Sequence, residues 1–248
     1  MNRYFVYLAY NGSRYHGWQL QQNAHTVQAE LNQKLSTLLS YQVNLTGCGR
    51  TDTGVHTRMF YAHFDVDQPI DDLVYLTYKL NRFLPSDIVV YWIKEVSLDL
   101  HSRFSAISRT YRYYISTTKN PFLVGTSMVY DGKLNLDAMN KAAAMLLSYQ
   151  DFTSFSKLHT QTLTNICNLS QSQWHAQQGL LVYTVTADRF LRNMVRAIVG
   201  TLFEVGKGKL QAEQMKAIVE SKDRSKAGFS VPAEGLFLEE VLYPANAF

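Results

Sequence analysis

The order of hydrophobic periodicities along residues 4–96 constrains the fold more than any other feature. Tyr4 to Tyr10 alternates with period two, as a half-buried strand does. Val27, Leu31, Leu35, Leu38 and Leu39 then recur at helical spacing, behind Thr26 as N-cap and with Glu30 near the first turn. Strand character returns over Gln42–Thr46 and Arg58–Phe64. A second amphipathic helix is predicted over Ile70–Phe83, ended by Leu84-Pro85-Ser86-Asp87, and Ile88–Val96 alternates again. Strand, helix, strand, strand, helix, strand is the ferredoxin-like order. A sheet built that way packs helices on one face and leaves the other for a ligand.

Past Asp99 the plan repeats loosely. Arg109, Tyr111, Tyr113 and Ile115 share one face of a predicted strand, and Arg112 and Tyr114 the other. An Arg–Tyr face suits a groove that takes a base and its phosphate. Asn135–Tyr149 reads as a helix, Leu180–Ala187 as a strand, and Phe190–Gly200 as a helix with a wide apolar face. Arg192 and Arg196, four apart, are expected on one side of that helix. Gly206-Lys207-Gly208 ends it; a helix over Gln211–Ser221 and a strand over Leu236–Tyr243 follow. The expected class is α+β with two ferredoxin- or RRM-like α/β halves, 1–104 and 105–248.

One loop between the predicted strands carries the chemistry: Gly47-Cys48-Gly49-Arg50-Thr51-Asp52-Thr53-Gly54-Val55-His56. It sets Arg50 and Asp52 one residue apart among glycines, which let backbone approach a ligand closely. Gly47-Cys48-Gly49 begins like a dinucleotide fingerprint, but Asp52 stands where the third glycine belongs and a strand follows where a helix should. Asp52, His56, His63 and Asp65 make no recognised metal-ligand spacing. Cys48 is a rival nucleophile four residues from Asp52, though a small buried hydrophobe is the commoner fate of such a residue.

Bulk properties narrow the classes. The 248 residues carry a formal net charge of +4, compatible with a polyanionic partner. With two cysteines, Cys48 and Cys167, and no CxxC pair, neither a zinc ribbon nor a disulfide framework is expected. No signal peptide opens the chain and no apolar run is long enough to span a bilayer, so the expected location is the cytoplasm. Sixteen tyrosines offer faces for stacking on bases, although most such rings fill cores.

Gly49-Arg50-Thr51-Asp52-Thr53-Gly54-Val55-His56 closely resembles the signature of TruA-type tRNA pseudouridine synthases. Further blocks resemble that family in order: Tyr10-Asn11-Gly12 with Gly17-Trp18-Gln19; Leu84-Pro85-Ser86-Asp87-Ile88; Arg103-Phe104-Ser105-Ala106 with Arg109-Thr110-Tyr111-Arg112-Tyr113; Asp151-Phe152-Thr153-Ser154-Phe155; Phe190-Leu191-Arg192-Asn193-Met194-Val195-Arg196; and Pro232-Ala233-Glu234-Gly235-Leu236. The resemblance implies the pseudouridine synthase fold, two halves with joined antiparallel sheets and a central cleft, usually as a homodimer. It implies isomerisation of uridine to pseudouridine in the anticodon stem-loop of tRNA, at positions 38, 39 and 40, with neither metal nor organic cofactor. Asp52 matches the essential carboxylate, Arg50 the arginine implicated in extruding the target nucleotide, Tyr111 the tyrosine that stacks on uracil, and Arg196 the arginine that pairs with the aspartate. Two segments depart from the pattern. Thr57-Arg58-Met59-Phe60 stands where many members have a small residue and Gly-Gln, and Thr164-Asn165-Ile166-Cys167 lacks a frequent arginine. A non-catalytic tRNA-binding protein or chaperone is the alternative from another class.

Overall fold

The computed structural model describes residues 1–157 and 163–248. It divides into two compact units: residues 1–107 with 238–248, and residues 108–237.

The first unit begins with β1 (Asn2–Tyr10), α1 (Val27–Leu39), β2 (Thr46–Gly47), β3 (His56–Val66), α2 (Leu73–Phe83) and β4 (Ile88–Val96). β1 pairs antiparallel with β3 and β4, and β2 with β3, which gives the ferredoxin-like order β4-β1-β3-β2. Both helices start on side-chain caps. Thr26 accepts from the Ala29 amide at 3.3 Å, and Asp72 from the Tyr75 amide at 2.7 Å. Capping by Asp72 places the start of α2 later than the periodicity predicts.

The strand expected over Gln42–Thr46 shrinks to two residues, because side chains of α1 take its backbone groups. Ser36 Oγ accepts from the Val43 amide, Asn32 Oδ1 accepts from the Leu45 amide, and Gln28 Nε2 donates to the Leu45 carbonyl. Those groups are satisfied without a ladder.

Tyr4, Val6 and Leu8 on one face of β1 are buried, as are Val27, Leu31 and Leu35 of α1 and Leu76 and Leu80 of α2. The other face, expected to stay open, is covered in part. Here Phe5, Tyr7, Tyr61 and Trp92 form an aromatic layer, on which Phe248 stacks against Tyr61 (5.4 Å, 9°) and Tyr243 sets its edge on Phe5. Burying aromatic area of this size outweighs leaving the face open.

The second unit contains β5 (Ser108–Ser116), β6 (Met128–Val129), α3 (Leu136–Met145), β7 (Leu169–Gln177), β8 (Leu180–Ala187), α4 (Met194–Gly206) and α5 (Gln214–Glu220). β8 pairs antiparallel with β5 and β7, and β6 adds to β5 in parallel. β9 (Leu236–Leu242) starts in this unit and finishes in the first. There Thr57 Oγ1 donates to the Leu238 carbonyl, and Met59 Sδ accepts from the Val241 amide. The atypical segment Thr57–Phe60 therefore meets the returning strand. An α+β chain of mostly antiparallel strand pairs is what the periodicities imply.

α4 is buried on nearly every side, so it serves as the core of its unit. Segment 228–231 lies against it. A Cβ at Gly200 would stand 1.8 Å from the Phe229 carbonyl oxygen. Replacing a mid-helix glycine by alanine gains about 0.8–1.0 kcal/mol of helix propensity. Overpacking against backbone costs about 1–3 kcal/mol or more. The clash should win, so Gly200→Ala lowers the urea midpoint; an unchanged or higher midpoint contradicts this packing.

In the first unit His63 is buried, stacked on Phe5 and edge-on to His101. Its Nδ1 accepts from the Ser102 amide at 3.2 Å, while Ser102 Oγ donates to the Thr46 carbonyl at 2.7 Å. Protonation of Nδ1 would give up the bond from the Ser102 amide, with Ser102 Oγ, 2.8 Å away, as the remaining acceptor. Burial lowers the His63 pKa to about 4, with the Arg3 guanidinium and His101 adding to the effect and Asp65 opposing it. Burial lowers His101 as well. The unfolded chain therefore takes up these protons near the ordinary histidine pKa, before the fold does, and stability falls as pH drops from about 6.5 to about 4. Urea midpoints across that window should decline for the native chain and decline less for His63→Gln, His101 supplying the remaining slope.

Candidate active site

In the first unit, residues 47–56 bridge β2 and β3. Two contacts fix the entry. The Cys48 amide donates to the Tyr61 carbonyl at 2.7 Å, and Cys48 Sγ accepts from the Tyr61 amide. Cys48 is 1% exposed and tied into the strand, which fits the small-hydrophobe reading over the nucleophile. Trp18 packs over Gly47 and Phe60, its ring 4.3 Å from that of Phe60.

Beyond Cys48 the loop emerges. Arg50 and Thr53 are exposed, Thr51 and Asp52 half-buried, and Val55 and His56 buried again. The Val55 amide donates to the Asp52 carbonyl at 3.1 Å, closing a turn at Gly54 (φ +78°). Asp52 thereby opens a short turn between the buried residues Cys48 and Val55. His56 Nδ1 accepts from the Gly12 amide at 3.1 Å, so the ring proton of the neutral side chain sits on Nε2.

A second stretch, residues 10–18, lies along this loop. Tyr10 and Thr51 share a hydroxyl hydrogen bond of 2.8 Å. The Trp18 amide donates to the Thr51 carbonyl (3.4 Å), and the Gly54 amide to the Tyr15 carbonyl (3.3 Å). Gly17 has φ +84°, and a Cβ there would stand 2.3 Å from the Thr51 carbonyl oxygen. Only glycine fits both the dihedral and the approach. Tyr15 is buried and donates from its hydroxyl to Asp87 Oδ1 at 2.7 Å, while Arg14 Nε donates to Asp87 Oδ2 at 2.6 Å. Burial alone would raise the Asp87 pKa; the hydrogen bonds from Arg14 and Tyr15 win and hold it below the usual carboxylate value.

Tyr111 and Arg196 belong to the second unit. Tyr111 is half-buried on β5, and the edge of Phe190 meets its ring at 5.1 Å. Tyr113, on the same strand face, is a core residue whose hydroxyl donates to the Pro232 carbonyl; the Arg–Tyr face is thus partly core. Arg196 lies in the first turn of α4. Its Nε donates to the Val231 carbonyl at 2.8 Å, and its own carbonyl accepts from the Val231 amide at 3.2 Å. One edge of the guanidinium is therefore fixed by backbone, which sets the direction of the fork. Arg192 does not share a helical face with Arg196. α4 begins only at Met194, and Asn193 before it is left-handed (φ +67°), with its side chain on Ser230 Oγ. The reversal at Asn193 turns exposed Arg192 out of register with the helix.

The structure thus sets Arg50 and Asp52 side by side in one unit, and Tyr111 and Arg196 in the other. Sequence reasoning missed the support from Tyr15, Asp87, Asn193 and Val231. In the sequence Asp87 stands out as a helix stop after proline and as part of a family block, neither of which assigns it a partner. The segment Thr164–Cys167 is structural in its own way: the Cys167 amide donates to the Gln150 carbonyl, and burial pushes the Cys167 thiol up to about 12. Among the described residues no three His, Cys, Asp or Glu side chains gather where they could hold a metal ion, and no helix is long and apolar enough to cross a membrane.

Comparison with known proteins places these residues in a family. A family model described as tRNA pseudouridine synthase matches residues 7–105 and 142–244. A tRNA pseudouridine synthase A of Parabacteroides distasonis is 51% identical over 250 residues, covering 100% of this chain and 98% of the relative. One of Porphyromonas gingivalis is 52% identical over 252 residues, covering 100% of each. One of Clostridium acetobutylicum is 41% identical over 239 residues, covering 95% of this chain and 97% of the relative. With most of its length matched by the family model, and by relatives over their whole lengths, the chain belongs to the tRNA pseudouridine synthase family.

Proposed function

We propose that this enzyme isomerises uridine to pseudouridine in the anticodon stem-loop of tRNA, at positions 38, 39 and 40, with Asp52 as the essential carboxylate. The observation that carries the reading is the Gly49–His56 loop in a member of the family, with Asp52 opening its turn two residues after exposed Arg50. The name shared by the relatives supports uridine isomerisation in tRNA.

The reaction breaks the bond from N1 of uracil to C1′, turns the base and joins C5 to C1′. Nothing is added or lost, so the chemistry asks for a positioned carboxylate and a base held in place. A carboxylate acts as nucleophile or base only when ionised. Burial disfavours that form, and a guanidinium partner restores it. Arg196 is assigned that part, with the Val231 carbonyl holding its Nε edge. Tyr111 supplies a flat face for the uracil. A nucleotide within a stem must leave the stack to be reached, and Arg50, exposed next to Asp52, fills the vacated space and holds phosphate. The active form is taken to be a homodimer in the cytoplasm, working with neither metal nor organic cofactor.

Tritium release from tRNA labelled at uridine C5 tests the central assignment. Asp52→Asn should lose at least about 10²–10⁴-fold in turnover, the range for a positioned acid–base group, with tRNA binding retained. Near-normal turnover refutes it. Binding by the native chain without any release would favour an RNA chaperone instead. For Arg50, loss after Arg50→Ala should be larger on folded tRNA than on a short flexible oligonucleotide. Equal loss on both excludes a flipping role. Removing one member of a buried ion pair costs about 3–5 kcal/mol. Arg196 is half-buried, so Arg196→Ala should cost less than that in stability while abolishing most turnover.

A further inference from the structure

The first unit contains a support for the Asp52 turn that no role assigned above uses. Segment 15–18 grips the turn on both sides of Asp52. On one side the Trp18 amide donates to the Thr51 carbonyl; on the other the Gly54 amide donates to the Tyr15 carbonyl. Gly17 lies between them, too close to Thr51 for any side chain. The turn therefore cannot shift along its own axis unless segment 15–18 moves with it.

Residues 16–18 are tied by backbone to His25, Val27 and Gln28, and the Tyr15 end is held by Asp87, on the connection between α2 and β4. Its Oδ1 accepts from the Tyr15 hydroxyl, its Oδ2 accepts from Arg14 Nε, and its backbone carbonyl accepts from the Asn11 amide at 2.9 Å. Tyr15 is 1% exposed, so its hydroxyl must bond within the protein, and Asp87 is 72 residues away in sequence. The carboxylate holds one end of the segment and the Asp52 turn receives the other.

We propose that Asp87 and Tyr15 are positioning residues of this enzyme, Asp87 acting through the Tyr15 hydroxyl and backbone to hold the turn that carries Asp52. The inference rests on the reading of Asp52 as the essential carboxylate. Neither residue needs to touch RNA for this. A reacting group displaced by about 1 Å can cost on the order of a hundredfold in rate while its ligand still binds. A brace of this kind therefore acts on kcat and spares substrate affinity.

The experiment compares Tyr15→Phe, Asp87→Ala and the double variant, using tritium release for kcat and KM, tRNA binding for Kd, and thermal melting for folding. Asp87→Ala leaves the Tyr15 hydroxyl in place and removes the carboxylate that accepts from it, so it remains informative where Tyr15→Phe does not fold. Each single variant should lower kcat by about tenfold or more, with Kd and KM within about twofold of the native values. The double variant should be no slower than the worse single one, because both act through one contact. Asp87→Glu should restore part of the rate. Three results overturn the proposal: native kcat in the folded Tyr15→Phe enzyme, losses that multiply in the double variant, or loss confined to KM and Kd. Asp52→Asn run alongside separates the two ideas. If it retains turnover, the assignment of Asp52 falls; if it is inactive while Tyr15→Phe turns over normally, only the brace falls.

Discussion

The approach of the Gly17 backbone to the Thr51 carbonyl is the constraint on which the first unit's site depends. A loop rich in glycine and small polar residues has little packing of its own and would sample many conformations. Here it is pressed against a second loop at a distance only backbone can reach, and amide–carbonyl bonds close the seam on both sides of Asp52. Buried anchors at Cys48 and Val55 hold the ends. The carboxylate is thus presented on a short piece of chain whose neighbours have almost no freedom left. That is the condition under which a single acid group does chemistry and not merely bind water.

The same economy of means recurs in the second unit. Arg196 has one edge of its guanidinium set by backbone, through the Val231 carbonyl on its Nε. The strap that supplies this carbonyl is itself sewn to α4: the Gly228 amide donates to Thr201 Oγ1, Phe229 lies on Gly200, and Ser230 accepts from Asn193. Neutral hydrogen bonds of this kind are each modest. Their joint effect is to make the guanidinium's position a property of the core.

How much of this could be read from the amino acids varies with the range of the interaction. Thr26 as a cap, the limits of β4 and β8, and the helical stripe of α1 are local patterns, and local patterns survive in sequence. β7 escaped because Leu169–Gln177 is mostly polar, so no apolar alternation marks it; pairing with β8 makes it a strand. The left-handed Asn193 escaped because the apolar stripe runs through it uninterrupted. The candidate residues Arg50, Asp52, Tyr111 and Arg196 were named from family motifs. The parts that hold them were not, since Tyr15 with Asp87, and Arg196 with Val231, are pairings across many residues that no spacing rule encodes.

The route of the final strand has a consequence for how the protein is made. Residues 238–248 belong to the first unit, where Tyr243 and Phe248 cover aromatic rings of β1, β3 and β4. On the ribosome, the first 107 residues emerge with that layer bare and must wait while the entire second unit is synthesised. Completion of the half that carries Asp52 therefore waits for residues 238–248, although nearly all of its sequence is translated first.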